Sequence, residues 1–251
     1  MDIGNITVTI EFQVATINFY HPASNSMPSH LLKQLASVFN QLDVNNEVKV
    51  IILKSENNTT FCAGAFFDEL ISINNEEEGI AFFSGFANVI NAMRKCSKLI
   101  IGRAQGKAVG GGVGLLAATD YCFATEQATI KLSEFTVGIG PFVVAPAIER
   151  KMGIAALSEL TINATQWKNA YWAKEKGLYA HVFVTIDEMD KDIEHLSLKL
   201  ANYNPELLKQ MKRVFWNGTD HWDNLLSERA AISGKLVLSN FTKEALKKFI
   251  K

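Results

Sequence analysis

The chain has 251 residues, 48% of them hydrophobic, and a formal net charge of −1. That length and composition suit one α/β domain with a sizeable core or a core with a helical appendage, and the near-neutral balance, with no extended basic run, argues against nucleic-acid and membrane-surface partners. The three cysteines, Cys62, Cys96 and Cys122, are widely spaced and odd in number, so they make neither a metal pattern nor a disulfide framework and point to a reducing, cytoplasmic setting.

The start, MDIGNITVTIEF, has no basic and apolar leader pattern, and no apolar run approaches the length of a membrane span. Residues 6–12 and 14–19 alternate as two strands joined by a tight turn. Leu31, Leu32, Leu35, Val38, Phe39 and Leu42 form a helical stripe over 28–43, with Pro28 in the first turn. Val48 to Lys54 is an apolar, β-branched run typical of a buried strand. Asn74 to Glu78 reads as a mobile polar loop, and Gly79 to Lys95 as a helix. A strand over 99–104 leads into three glycines, Gly110 to Gly112. Apolar runs at Tyr121–Ala124 and around Ile130 follow. Beyond Phe142 the pattern is helical over 142–152, 154–162, 166–176, 187–202, 204–216, 221–238 and 241–250, with one short strand at 182–185. Alternating strands and helices argue for a mainly parallel sheet. The change of composition near 190 divides the chain into a core domain, 1–190, and a C-terminal helical module, 191–251.

The glycine stretch carries the chemistry. Three glycines before the Ala-rich run Val113 to Ala118 read as a strand-to-helix turn, where a ligand can approach the backbone and the first helical N–H groups are unpaired. A phosphate loop is excluded because Gly106-Lys107 is followed by Ala108, and a dinucleotide turn because Gly112-Val113-Gly114 lacks the third glycine. Two uses remain: close helix packing, or an anion that forms only during reaction, such as an enolate oxygen. A second turn of the same kind, Phe61-Cys62-Ala63-Gly64-Ala65-Phe66, follows the 48–54 strand. One N–H from each would make a two-donor oxyanion hole.

The F-x-A-G-A turn at 61–65 and AVGGGVGLLAATDYCFATEQATIKLSE, in this order, resemble the enoyl-CoA hydratase/isomerase (crotonase) superfamily across essentially the whole chain. The resemblance implies an α/β spiral of ββα units with a C-terminal helical module. It implies oxyanion donors at the N–H groups of Ala65 and Gly111, and a catalytic acid at Glu134. Ala63, Gly64, Phe66, Gly110, Gly112, Gly114, Gly140 and Pro141 would line the substrate. It further implies a trimer or hexamer and coenzyme A as part of the substrate, with no separate cofactor and no metal. The sequence departs from the pattern where a second glutamate is usual, at Gly114. It departs again where an aspartate is usual, at Phe66, and where P-G-x-G-G is usual, at Pro141 to Ala145.

From its residues alone, Glu134 suits either a capping or salt-bridged acid or a proton-transfer group in a dry pocket; the resemblance selects the second. Asp120 reads as a structural acceptor of backbone N–H groups. Asp68 and Glu69 read as acids of a helix first turn, and Glu149-Arg150-Lys151 as a face meeting solvent or another subunit. His21 reads as exposed and without function, whereas the resemblance implies a place near a bound phosphate. Trp167, Trp172, Trp216 and Trp222 suit core or interface packing. The expected activity is hydration or dehydration of an enoyl-CoA. SNSMPSHLL, KLSE and GIGPFVV are similar to bacterial hydratases of leucine breakdown, which implies 3-methylglutaconyl-CoA as substrate. Double-bond isomerisation, decarboxylation and non-catalytic acyl-CoA binding are the alternatives.

Overall fold

A computed structural model describes residues 3–248. Strands β1 (Asn5–Glu11) and β2 (Val14–Tyr20) form an antiparallel hairpin. Its two-residue turn puts Phe12 and Gln13 at φ of 49° and 66°, the left-handed pair that matches strand twist. Helix α1 (Ser29–Asp43) buries Leu31, Leu32, Leu35, Phe39 and Leu42. Pro28 is its N-cap rather than its first helical residue.

Three ββα turns follow. The first is β3 (Val50–Ser55), β4 (Thr60–Cys62), α2 (Phe67–Ile71) and α3 (Glu76–Lys95). The second is β5 (Leu99–Ala104), β6 (Lys107–Val109) and α4 (Gly111–Ala117). The third is β7 (Tyr121–Thr125), β8 (Ile130–Lys131), a 3-10 turn at Glu134–Val137 and α5 (Ala145–Ile162). The larger sheet runs β1-β2-β3-β5-β7-β9, parallel from β2 onward, and closes on β9 (His181–Phe183) after α6 (Ala170–Glu175). The smaller sheet, β4-β6-β8, is wholly parallel. Each turn of the spiral therefore contributes one strand to each sheet, and the smaller sheet ends at three successive loops: 63–66, 110–111 and 132–134.

Two local readings change. Residues 76–78 are not a loop: Asn75 caps α3, accepting from the Glu78 N–H at 2.9 Å, and the three glutamates occupy the first turn, where acids suit the helix dipole. Residues 142–144 precede α5, and Gly153, at φ of 82°, breaks that helix as the sequence break at 153 suggested.

The remaining helices are α7 (Ile186–Ala201), α8 (Pro205–Phe215), α9 (Trp222–Leu236) and α10 (Asn240–Lys247). The helix expected over 241–250 partly lies outside the described residues. Helix α9 packs on α3 where two glycines meet: a Cβ at Gly79 would stand 2.7 Å from the Gly234 carbonyl oxygen. Helix α10 covers the 3-10 turn, with Phe241 and Thr242 against Gly138. Glu149-Arg150-Lys151 does not face solvent as a unit. Arg150 stacks 3.7 Å from the Trp216 ring centre, and the Lys151 ammonium donates to the carbonyls of Thr119 and Asp120. Trp216 and Trp222 are buried edge to face, whereas Trp167 is exposed. No helix among the described residues is long and apolar enough to cross a membrane.

Candidate active site

A cavity of about 530 Å³ opens at the C-terminal ends of β4, β6 and β8. Parallel strands end in loops with free N–H groups, so such an edge is a common ligand site. Segment 21–27 fixes the first loop. The Ala63 N–H donates to the Ser24 carbonyl at 3.1 Å, the Met27 N–H to the Gly64 carbonyl at 2.8 Å, and the Phe66 N–H to the Met27 carbonyl at 3.3 Å. Asn25 ties this segment to the strand region by donating to the carbonyls of Glu56 and Thr60. His21 is buried rather than exposed, with Nδ1 3.0 Å from the Ser26 hydroxyl.

The first and second loops touch. Gly64, at φ of 91°, would with a Cβ stand 2.9 Å from the Val109 carbonyl oxygen and 3.5 Å from the Gly111 nitrogen. Among the described residues neither the Ala65 N–H nor the Gly111 N–H has a hydrogen-bond partner. Both residues line the cavity. Phe86 lies on Gly111, where an added Cβ would meet its ring at 2.3 Å.

Glu134 enters from the third loop. Its carboxylate lies over Gly110: a Cβ there would stand 2.7 Å from Oε1. Gly110 also adopts φ of 52°, so both its backbone and the carboxylate require glycine. Glu134 Oε2 is inaccessible and has no hydrogen-bond partner among the described residues. Burial pushes the carboxyl from 4.5 up to about 7, against the pull of the Ser133 and Glu134 backbone amides. The surrounding wall is apolar: Phe67, Leu70, Phe83, Phe86, Val143 and Val144. Such an arrangement can hold a carbonyl oxygen between two N–H groups and exchange a proton at the neighbouring carbon near neutral pH.

Of the residues expected at the substrate, Ala63, Gly64, Ala65, Gly110, Gly111, Glu134, Gly140 and Pro141 share this cavity. Phe66, Gly112 and Gly114 do not line it. Phe66 turns its ring edge-on to His21, 4.9 Å away. Gly112 packs on β4, where a Cβ would meet the Cys62 carbonyl oxygen at 2.5 Å. Gly114 lies under Val144, whose Cγ1 would be 2.3 Å from an added Cβ. Val144 thus fills the direction in which a side chain at 114 would leave the helix. Asp68 and Glu69 occupy the first turn of α2 as expected, and Glu69 also reaches α1. Its Oε2 accepts from the Ser29 N–H and hydroxyl at 2.8 and 2.7 Å, capping α1. Lys131 and Ser233 also line the cavity; Lys131 gave no signal because a lysine in a two-residue strand reads as solvated, and Ser233 comes from α9, distant in sequence.

The sequence profile of the enoyl-CoA hydratase/isomerase family matches residues 9–250. Short-chain-enoyl-CoA hydratase of Clostridium acetobutylicum is 26% identical, over 100% of this chain and 96% of its own length. Mitochondrial methylglutaconyl-CoA hydratase of Rattus norvegicus is 32% identical, over 66% of this chain and 52% of its own. The crystal structure of enoyl-CoA hydratase from Bacillus halodurans superposes with a TM-score of 0.89 at 16% identity, covering 97% of this chain and 99% of that one. That likeness concerns the fold, and it bears out the expected crotonase-like spiral. With a family match that spans nearly the whole chain, this protein belongs to the enoyl-CoA hydratase/isomerase family and is an enzyme of it.

Proposed function

We propose that the protein hydrates 2-enoyl-CoA thioesters and dehydrates the corresponding 3-hydroxyacyl-CoA, with 3-methylglutaconyl-CoA as the preferred substrate. The observation that carries this reading is the buried Glu134 carboxyl, whose Oε2 has no hydrogen-bond partner among the described residues, beside two free amide donors in one apolar cavity. The thioester carbonyl sits between the N–H groups of Ala65 and Gly111, which stabilise the enolate oxygen as charge builds there. Glu134 moves the α-proton. With no carboxylate at Gly114, it also serves the water, deprotonated for one step and protonated for the other. Likeness to methylglutaconyl-CoA hydratase supports the substrate. A panel of acyl-CoA thioesters incubated with the protein and weighed afterwards tests this. Addition of water to a 2-enoyl-CoA is expected, and unchanged mass throughout would refute hydration.

The packing of Val144 on Gly114 favours a second reading, double-bond isomerisation, for which one base suffices. In the same panel it would appear as a moved double bond at constant mass. Val144 also bears on any attempt to restore the second acid. G114E alone is expected to lower stability and activity, because its Cβ meets Val144 Cγ1 at 2.3 Å. The double variant G114E/V144G removes that clash. It is expected to hydrate crotonyl-CoA faster than wild type does; a double variant no better than G114E would count against Val144 as the obstruction.

The reading extends to a cytoplasmic homotrimer or homohexamer. Ile154, Ile162, Trp167, Tyr171 and Val184 are exposed on consecutive elements of the third turn and beyond, and α8 exposes Leu207, Val214 and Phe215. So much uncovered apolar surface suits subunit contacts. Light scattering at micromolar concentration is expected to give three or six times the chain mass, and a monomer would refute it.

A further inference from the structure

Two ionisable side chains line the cavity among the described residues, Glu134 and Lys131, and hydration uses only the first. Lys131 stands on β8, where side chains alternate. Ile130 and Leu132 are buried in the core, while Lys131 and Ser133 line the cavity. The Lys131 carbonyl accepts from the Gly110 N–H at 2.9 Å, so its backbone is fixed to the turn that presents Gly111. Its ammonium lies 4.6 Å from the centre of the Trp167 ring, and the Lys107 ammonium lies 5.6 Å from the same ring. Lys131 forms no salt bridge among the described residues, with Glu134 or with any other acid.

Lys131 lines the cavity, and its ammonium lies over Trp167, an exposed ring outside the cavity lining, so a substrate anion that extends toward this side of the cavity meets a cation with no acidic partner of its own among the described residues. The amides of Ala65 and Gly111 and the carboxyl of Glu134 account for the thioester end of a substrate. An anion further along the acyl group is then the partner that this amine lacks. We infer that Lys131 is a specificity-determining residue that pairs with a second carboxylate on the acyl group. The preferred substrates are accordingly CoA thioesters of short, unsaturated dicarboxylic acids. This inference rests on the hydratase reading. A phosphate of coenzyme A is the other anion that could reach the amine.

K131M, which keeps most of the length and removes the charge, is compared with wild type on glutaconyl-CoA and crotonyl-CoA. The kcat/KM for glutaconyl-CoA is expected to fall about 10–100-fold further than that for crotonyl-CoA, the difference lying mainly in KM. K131R keeps the charge and is expected to keep the preference. An equal loss on both thioesters would overturn the inference, and disappearance of that loss with pantetheine thioesters, which lack the nucleotide phosphates, would assign the amine to coenzyme A instead. If wild type hydrates neither compound, the hydratase reading fails separately. Calorimetry with glutaryl-CoA and butyryl-CoA then decides for Lys131. A glutaryl preference abolished in K131M supports it, and equal affinity of wild type for the two sinks it.

Discussion

Replacing Glu134 with glutamine is expected to lower turnover by about 10²–10⁴-fold while leaving acyl-CoA affinity nearly unchanged. Glutamine keeps the size and hydrogen-bonding capacity of the side chain but cannot ionise. The amide donors at Ala65 and Gly111 are backbone and do not depend on it. The same variant carries a second signature, in stability. Burial raises the native carboxyl from 4.5 to about 7. Below 4.5 the group is protonated in both the native and the unfolded chain and makes no difference. Between 4.5 and about 7 the unfolded chain ionises and the native one resists, so stability falls as pH rises; above 7 the cost is complete. At about 1.4 kcal/mol per pKa unit, that cost is at most about 3–4 kcal/mol. Glu134→Gln removes it, so the variant is expected to be about 1–3 kcal/mol more stable than wild type at pH 8 and equal to it near pH 4. Denaturant unfolding at the two pH values, set beside steady-state kinetics, checks both signatures. A salt-bridged or capping glutamate would give the opposite stability change, and near-normal turnover would end the proton-transfer assignment.

Much of this site was readable because its determinants are local. The glycine turns at 61–65 and 110–112 announce themselves by composition, and each follows a strand with the β-branched or apolar pattern of a buried element. Position within the spiral then brings the turns together. What Glu134 faces was readable only through family resemblance, since nothing in LSE specifies that a carboxylate will lie over Gly110, 24 residues earlier. Contacts between distant segments stayed hidden. Glu69 caps a helix 40 residues away, which no first-turn rule anticipates. Val144 and Gly114 depart from the family pattern at two separate places, yet they occupy one volume: the side chain absent at 114 is replaced in space by the one present at 144. The Asn74–Glu78 segment was misread because acidic residues look like solvated loop, although Asn75 followed by Glu78 three residues on is itself a helix-start signal.

Asp120 carries the second large effect. Its Oδ2 accepts from the Ile100 N–H at 2.7 Å and from the Lys212 ammonium at 2.6 Å, and its Oδ1 accepts from the Trp216 indole N–H at 2.8 Å. The reading of Asp120 as a backbone acceptor is thus right for Ile100 but incomplete. The aspartate also fastens α8 to the edge of β5, and the charges of the pair are almost wholly buried, with side-chain exposures of 3% for Lys212 and 4% for Asp120. Asp120→Ala would leave a buried ammonium, a backbone N–H and an indole N–H without their acceptor. Losing one partner of such a pair is expected to destabilise the fold by about 3–5 kcal/mol. Nearby Arg150 and Lys151 add positive charge to the same region, which adds to the cost of losing the aspartate. Urea unfolding should show a lower midpoint at an unchanged slope. Lys212→Met in the Asp120→Ala background removes the stranded charge and is expected to recover part of the loss, because a buried pair costs most when only half of it is deleted. None of these groups lines the cavity, so turnover at a temperature where the variant remains folded should match wild type. A loss below about 1 kcal/mol would mean that water reaches Lys212 in the variant, and α8 would then be held by its apolar face alone.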